Sequence, residues 1–314
     1  RKPGLNAFMM PNGAMFVQTG LLLRLNSASE LAAVIGHEII HFSQGHGLER
    51  ARKFKKAQQA SNLLNMGLQI GGLHFLASHT VANVFGGAYI GAYSREGEEE
   101  ADAEGLELMN NAGYDASAAA RFWGNYKNEY DEFGTNNSIF ATHPVLPKRM
   151  TDLQKLGEEL AAPKAVSKMH ENLLLELLET SRLDLINDEM RTMEPEQFEA
   201  LIANQRKFFK ITDGMGAYLN ANAWLHSSKR KGISDKRLRE TLNKADIWYS
   251  KGVESESGIP SVGYSEWARL NEKLDNICVA KAGYEKYLEL EPNAWNVKFV
   301  SKRLGKLKCA TNPP

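Results

Sequence analysis

Residues 37–41 read HEIIH, two histidines four apart with a glutamate beside the first. Side chains at i and i+4 of a helix project from one face, so the imidazoles of His37 and His41 can reach one ion, and zinc suits this pattern. Glu38 lies one step round the helix, displaced enough to act as general base on a water held by that ion instead of ligating it. The plain alternative is two histidines on a helix face with no metal. In a chain of this length the pattern arises by accident on the order of once in a hundred. Two imidazoles among Leu, Val and Ile are costly to bury without partners, which favours a metal or a polar pocket.

A catalytic zinc needs three protein ligands and one open position, so a third donor must come from downstream. The segment YSREGEEEADAEG at 93–105 offers Glu96, Glu98, Glu99 and Glu100. A glutamate run ordinarily marks a solvated helix face, and three of the four are expected to be that. Asp102 separates them. It follows Glu98 by four residues, on the same helix face, where its carboxylate can bond the outer nitrogen of a ligand histidine. Glu98 is therefore the expected third ligand.

These groups need rigid elements to hold them. Ser27 and Glu30 have the spacing of a capping box, and Leu31, Ile35, Ile39 and Phe42 recur at helical spacing, which predicts a helix through His41. Before it, LNAFMMPNGAMFVQTGLLLRL reads as two short extended runs around the turn Pro11-Asn12-Gly13, a hairpin or edge strand beside the helix. The chain then reads as mostly helical to about Leu160, and Ala161-Ala162-Pro163 mark a boundary. The reading is mainly α: a first domain at 1–160 and an α-helical second domain at 161–314. In the second, Tyr264, Trp267 and Ala268, then Ala280, Tyr284, Tyr287 and Pro292, form one tetratricopeptide-like helix pair. Asn271 stands there at a usually aromatic position. On the plainer reading, the aromatics simply pack two helices together.

With 314 residues and 43% hydrophobic composition, a large core can be buried. Lys plus Arg equals Asp plus Glu at 38 each, so no overall field calls for nucleic acid. Cys278 and Cys309 either form one disulfide or remain free thiols. The run from Ala57 to Ser94 carries no formal charge but is broken by asparagines and glycines. It therefore reads as buried helix, with shallow, peripheral membrane contact as the alternative. The opening at Arg1, with no secretion-type start, reads as a processed or trimmed chain.

The chain resembles the HtpX-like and CAAX-prenyl-protease-like zinc metallopeptidases, a branch of the gluzincins. The resemblance rests on NAF and PNG before GLL, ELAAVIGHEIIH followed by His46, SREGEEEAD, and THPVLPKR at 142–149, in this order over about the first half of the chain. It implies a zincin-type domain with one Zn2+ on His37, His41 and Glu98, Glu38 as general base, and Asp102 bonded to a ligand histidine. It gives His143 one of two roles: stabilising the oxyanion, or closing the open position as a fourth ligand in a latent enzyme. Without the resemblance, His143 before Pro144 reads as an ordinary loop residue. Of His46, His74 and His79, only His46 is expected to support the pocket. Ile40 stands where the family often has glycine, and Asn12 replaces the first glycine of a common PGG turn; neither removes a ligand. Family members carry further structure before NAF, so some N-terminal structure of the peptidase domain is expected to be missing.

A peptidase domain with a helical tail is similar to periplasmic members of this family. That implies a Gram-negative periplasm, outer-membrane protein quality control, an unfolded or misassembled polypeptide as substrate, and a protein partner for the tail. An inner-membrane or mitochondrial relative is the other setting. The segment from Phe8 to Val17 is expected to offer an edge strand to the substrate. The rival class is a chaperone or partner-binding module with a latent metal site.

Overall fold

The computed structural model describes residues 4–53, 55, 56, 59, 93–133, 139, 142–144, 147–160 and 168–309. Nearly all of the uncharged run, His74, His79 and the boundary at 161–163 lie outside these residues. The described chain is mainly α, with one two-stranded sheet. It divides into two compact units, Arg1–Ile186 and Asn187–Pro314. No helix among the described residues is long and apolar enough to cross a membrane.

In the first unit β1 (Ala7–Met9) and β2 (Met15–Val17) pair antiparallel, with Phe8 opposite Phe16. The PNG turn closes them: Gly13 takes φ +85°, its N–H donates to the Met10 carbonyl at 2.9 Å, and Asn12 Oδ1 accepts from Ala14 N at 3.1 Å. Asn12 thus serves in the turn through its own side chain. After α1 (Thr19–Arg24), α2 (Ala28–Ser43) begins where Ser27 Oγ accepts from Glu30 N at 3.0 Å. The reciprocal bond of the expected capping box lands one residue earlier, on Asn26 N at 2.7 Å.

The buried face of α2 is not the one its large aliphatics suggest. Ala33, Val34, Gly36, His37, Glu38, Ile40 and His41 are buried, whereas Leu31, Ile35 and Ile39 are half-buried and line an apolar groove of about 530 Å³. Phe42 is exposed near the hairpin turn. The inward face is reserved for polar groups and for close contact with α3 (Arg95–Asn111), which starts with Ser94 Oγ accepting from Gly97 N. The two helices touch at glycines: a β-carbon on Gly36 would sit 2.8 Å from the Gly105 carbonyl oxygen. This approach brings His37 and His41 against Glu98 and Asp102. Helices α4 (Ser117–Phe133) and α5 (Pro147–Glu159) complete the surroundings, over a core that includes Leu21, Leu25, Val34, Leu106, Phe122 and Trp123. Helix α6 (Lys168–Met190) adds Leu178 to that core and contains the division between the units.

The second unit holds α7 (Pro195–Phe208), α8 (Asp213–Ser227), α9 (Asp235–Glu254), α10 (Ser261–Lys273), α11 (Ile277–Leu290) and α12 (Val297–Leu304). Tyr264, Ala268, Ala280, Tyr284 and Tyr287 are buried where α10 packs on α11, as the plainer reading expected. Asn271 is fully buried. Its Nδ2 donates to Asp246 Oδ1 at 2.7 Å and its Oδ1 accepts from Asn276 Nδ2 at 3.0 Å, so an amide network fills the usually aromatic position. Cys278 and Cys309 form a disulfide.

Candidate metal centre

Four side chains converge: His37, His41, Glu98 and His143 each offer a donor atom, all within 4.8 Å of one another and all buried. His37 Nε2 lies 3.0 Å from His41 Nε2 and 3.1 Å from His143 Nδ1. Glu98 Oε1 lies 2.9 Å from His143 Nδ1 and 3.3 Å from His41 Nε2. A tetrahedral ion with ligands at about 2.0–2.1 Å sets its donors about 3.3–3.4 Å apart, close to the spacing seen. Imidazole lone pairs aimed at one point repel unless a proton or a cation lies between them, and an N₃O donor set with one carboxylate suits a divalent transition metal. The residues therefore fit a bound metal.

Polar contacts behind the candidate donors set their tautomers. His37 Nδ1 faces Asp102 Oδ1 at 3.0 Å, which places the proton on Nδ1 and leaves Nε2 free to ligate. For His41 the same result comes in two steps. Glu100 Oε2 lies 3.2 Å from His46 Nε2; with its proton on Nε2, His46 presents Nδ1 as an acceptor to His41 Nδ1, 2.9 Å away. His41 Nε2 then points its lone pair at the site. Tyr93 stacks on the His41 ring at 3.8 Å between centroids. Trp123 meets the His37 ring edge-on at 5.8 Å.

His143 sits in a turn pinned from two sides: its N–H donates to the Ile139 carbonyl at 2.8 Å, and the Thr142 carbonyl accepts from Tyr93 N at 2.9 Å. The ring bridges two groups. Nδ1 joins the donor cluster, and Nε2 lies 3.2 Å from Glu38 Oε1. Burial alone would push the Glu38 carboxyl up, but His143, His37 and His41 together hold it below the usual range. Burial likewise opposes ionisation of Glu98, and its bonds to His143 and His41 overcome it.

Two parts of this arrangement carried no role in the sequence reading. Arg149 is buried and donates Nε and Nη2 to the Asp102 carboxylate at 2.6 and 2.8 Å, with Nη1 2.6 Å from Glu98 Oε2. Burial opposes the charge on Asp102, and Arg149 and then His37 keep it ionised. The only signal for Arg149 was its place at the end of THPVLPKR. Glu100, set aside as part of a solvated face, is half-exposed yet orders the His46–His41 chain.

Relatives match about half of this chain. A putative beta-barrel assembly-enhancing protease of Vibrio cholerae is 31% identical over 166 residues, 51% of this chain and 34% of the relative. The mitochondrial metalloendopeptidase OMA1 of Schizosaccharomyces pombe is 32% identical over 167 residues, 53% and 48% of the two chains. The beta-barrel assembly-enhancing protease of Escherichia coli is 24% identical over 163 residues, 50% and 33%. The matched part thus spans about a third to a half of these relatives. Residues 1–157, which contain every donor described above, match peptidase family M48, and the chain belongs to that family.

Proposed function

We propose that the chain is a zinc-dependent endopeptidase acting on unfolded or misassembled polypeptides. The observation that carries this is the convergence of His37 Nε2, His41 Nε2 and Glu98 on one point with the Glu38 carboxylate beside it. Zinc held there by His37, His41 and Glu98 would supply Lewis acidity toward the scissile carbonyl and toward the attacking water. Glu38, kept ionised, takes the attacking water's proton and returns it to the leaving amine, so the hydrolysis needs no covalent acyl step. Asp102 with Arg149, and His46 with Glu100, hold the two histidines in their ligating tautomers. The hairpin has no third strand among the described residues, so an extended substrate can add to its outer edge through backbone hydrogen bonds.

His143 reads here as a fourth ligand: its Nδ1, inside the donor cluster, would take the position a substrate or water needs, while its Nε2 lies 3.2 Å from Glu38 Oε1. A site so closed would be latent, and the same closure would suit the rival reading, a partner-binding module in envelope assembly whose metal site stays shut. Glu38 favours the enzyme, because a purely structural metal site has no use for a base. The disulfide and the likeness to beta-barrel assembly-enhancing proteases support an oxidising periplasmic setting, with a mitochondrial one as the alternative given OMA1. The α-helical second unit, tetratricopeptide-like in its Tyr264–Pro292 pattern, supplies the protein-partner surface in either reading.

The test is zinc content and cleavage of an unfolded protein, run on the chain, Glu38→Gln and His143→Ala. The proposal expects one zinc in each, cleavage abolished by Glu38→Gln and raised by His143→Ala. Zinc without cleavage in all three would move the assignment to the binding module.

A further inference from the structure

Of the five tryptophans, Trp123 and Trp224 are buried, Trp248 and Trp267 are half-buried, and Trp295 is 96% exposed. Phe299, four residues on, is 61% exposed. Large aromatics left this open together mark an interaction surface. They stand at the start of α12, whose other face is committed: Val300, Leu304 and, just beyond, Leu307 pack into the core of the second unit.

The charge around them is one-sided. After Glu291 the sequence contains no Asp or Glu, while Lys298, Lys302, Arg303, Lys306 and Lys308 are all cationic, in a chain whose formal net charge is zero. Phe299, Lys302 and Lys306 line one groove of about 360 Å³. The carboxylate in that groove, Glu272, is already engaged by Arg303 Nε at 2.6 Å and by the Tyr284 hydroxyl at 2.5 Å. The disulfide to Cys278 on α11 tethers the strip at its far end, so the patch is held to the folded unit.

We propose that this strip docks on the surface of an anionic phospholipid bilayer. Exposed Trp and Phe seat at headgroup depth, and lysines beside them reach lipid phosphates with their stems lying along the apolar boundary. An acidic protein surface would answer the cations but not the composition, since protein interfaces are depleted in lysine around their aromatic anchors. The inference goes beyond the peptidase reading and does not depend on the metal centre.

The experiment is co-sedimentation of the full chain with phosphatidylcholine vesicles, with and without phosphatidylglycerol, while tryptophan emission is recorded. Binding is expected only with phosphatidylglycerol, falling as salt rises, with a blue shift that Trp295→Phe removes. Each lysine neutralised, Lys302→Gln and then Lys306→Gln, is expected to weaken partition about fivefold, and Trp295→Ser with Phe299→Ser at least as much. All four positions are exposed, and circular dichroism checks that the variants fold. Equal affinity for both vesicle types, or variants that bind like the parent, would overturn the proposal. So would capture by polyglutamate with no vesicle binding, which would assign the strip to an acidic protein instead.

Discussion

Gly36 on α2 and Gly105 on α3 meet without side chains between them. A β-carbon on the first would fall 2.8 Å from the Gly105 carbonyl oxygen, and one on the second 3.0 Å from His37 N. This contact sets how far His37 and His41 stand from Glu98. Gly36→Ala must push the helices apart, because the obstacle is backbone and cannot rotate away. A loss of about 1–3 kcal/mol in stability is expected from overpacking. Metal affinity should fall with it, read as a lower thermal midpoint and weaker zinc retention against a chelator.

Arg149 neutralises two buried carboxylates at once. Arg149→Met removes the guanidinium and leaves Asp102 and Glu98 facing each other on one helix with less compensation. A destabilisation of about 3–5 kcal/mol is expected in the metal-stripped protein. Bound metal should recover part of it, since the ion adds positive charge at Glu98. Denaturant titrations with and without zinc measure both; equal loss in the two would show that Arg149 acts only as packing against Trp123, which it covers at 4.7 Å.

The chain from Glu100 through His46 to His41 predicts graded effects. His46→Ala removes the acceptor that fixes the His41 tautomer and should lower zinc affinity about 10–100-fold. Glu100→Gln leaves an acceptor oxygen near His46 and should cost much less. Competition with a chelating dye separates the two, and an equal effect of both substitutions would contradict the tautomer argument.

The clustering of His37, His41 and Glu98 was legible because HEIIH and the Glu98–Asp102 spacing are local patterns that a helix converts into geometry. The hairpin was legible for the same reason, since Pro11-Asn12-Gly13 dictates its own turn. What was not legible is long-range. Arg149 reaches Asp102 across 47 positions in sequence, and no periodicity announces such a contact. Helical spacing also drew attention to Leu31, Ile35, Ile39 and Phe42, yet the polar metal face is the more deeply buried one. A functional site reverses the usual rule by satisfying its polar groups with one another, so the large aliphatics are left to a groove. Asn271 departs from its pattern in a similar way, with hydrogen bonds taking the place of aromatic volume.

Chelation should expose the proton that the metal displaces. In metal-stripped protein, burial pushes the His143 imidazole down, but Glu38 and Glu98 outweigh it and raise the pKa to about 9. The folded-state value lies above the ordinary 6.5 or so. The stabilisation from this group is therefore fully present below about pH 6.5 and is lost as pH rises through about 9. The thermal midpoint of the stripped protein should fall across that window, and His143→Ala should flatten the fall. If His143 is a fourth ligand, zinc would compete for its Nδ1, so uptake should release a proton and tighten as pH rises through the window, visible as acidification of a weakly buffered solution.

Reduction of the Cys278–Cys309 disulfide tests whether the two units answer separately. The bond spans 31 positions and lies wholly in the second unit, so opening it should lower that unit's stability by about 2–4 kcal/mol through freed chain entropy in the unfolded state. The candidate metal donors all lie in the first unit, so zinc content should not change. The combination is diagnostic: a lower unfolding midpoint with zinc retained would show a helical unit stapled independently of the metal centre, whereas loss of zinc on reduction would show that the centre depends on the second unit's fold. Cys278→Ser with Cys309→Ser should reproduce the reduced behaviour without a reductant that itself competes for metal.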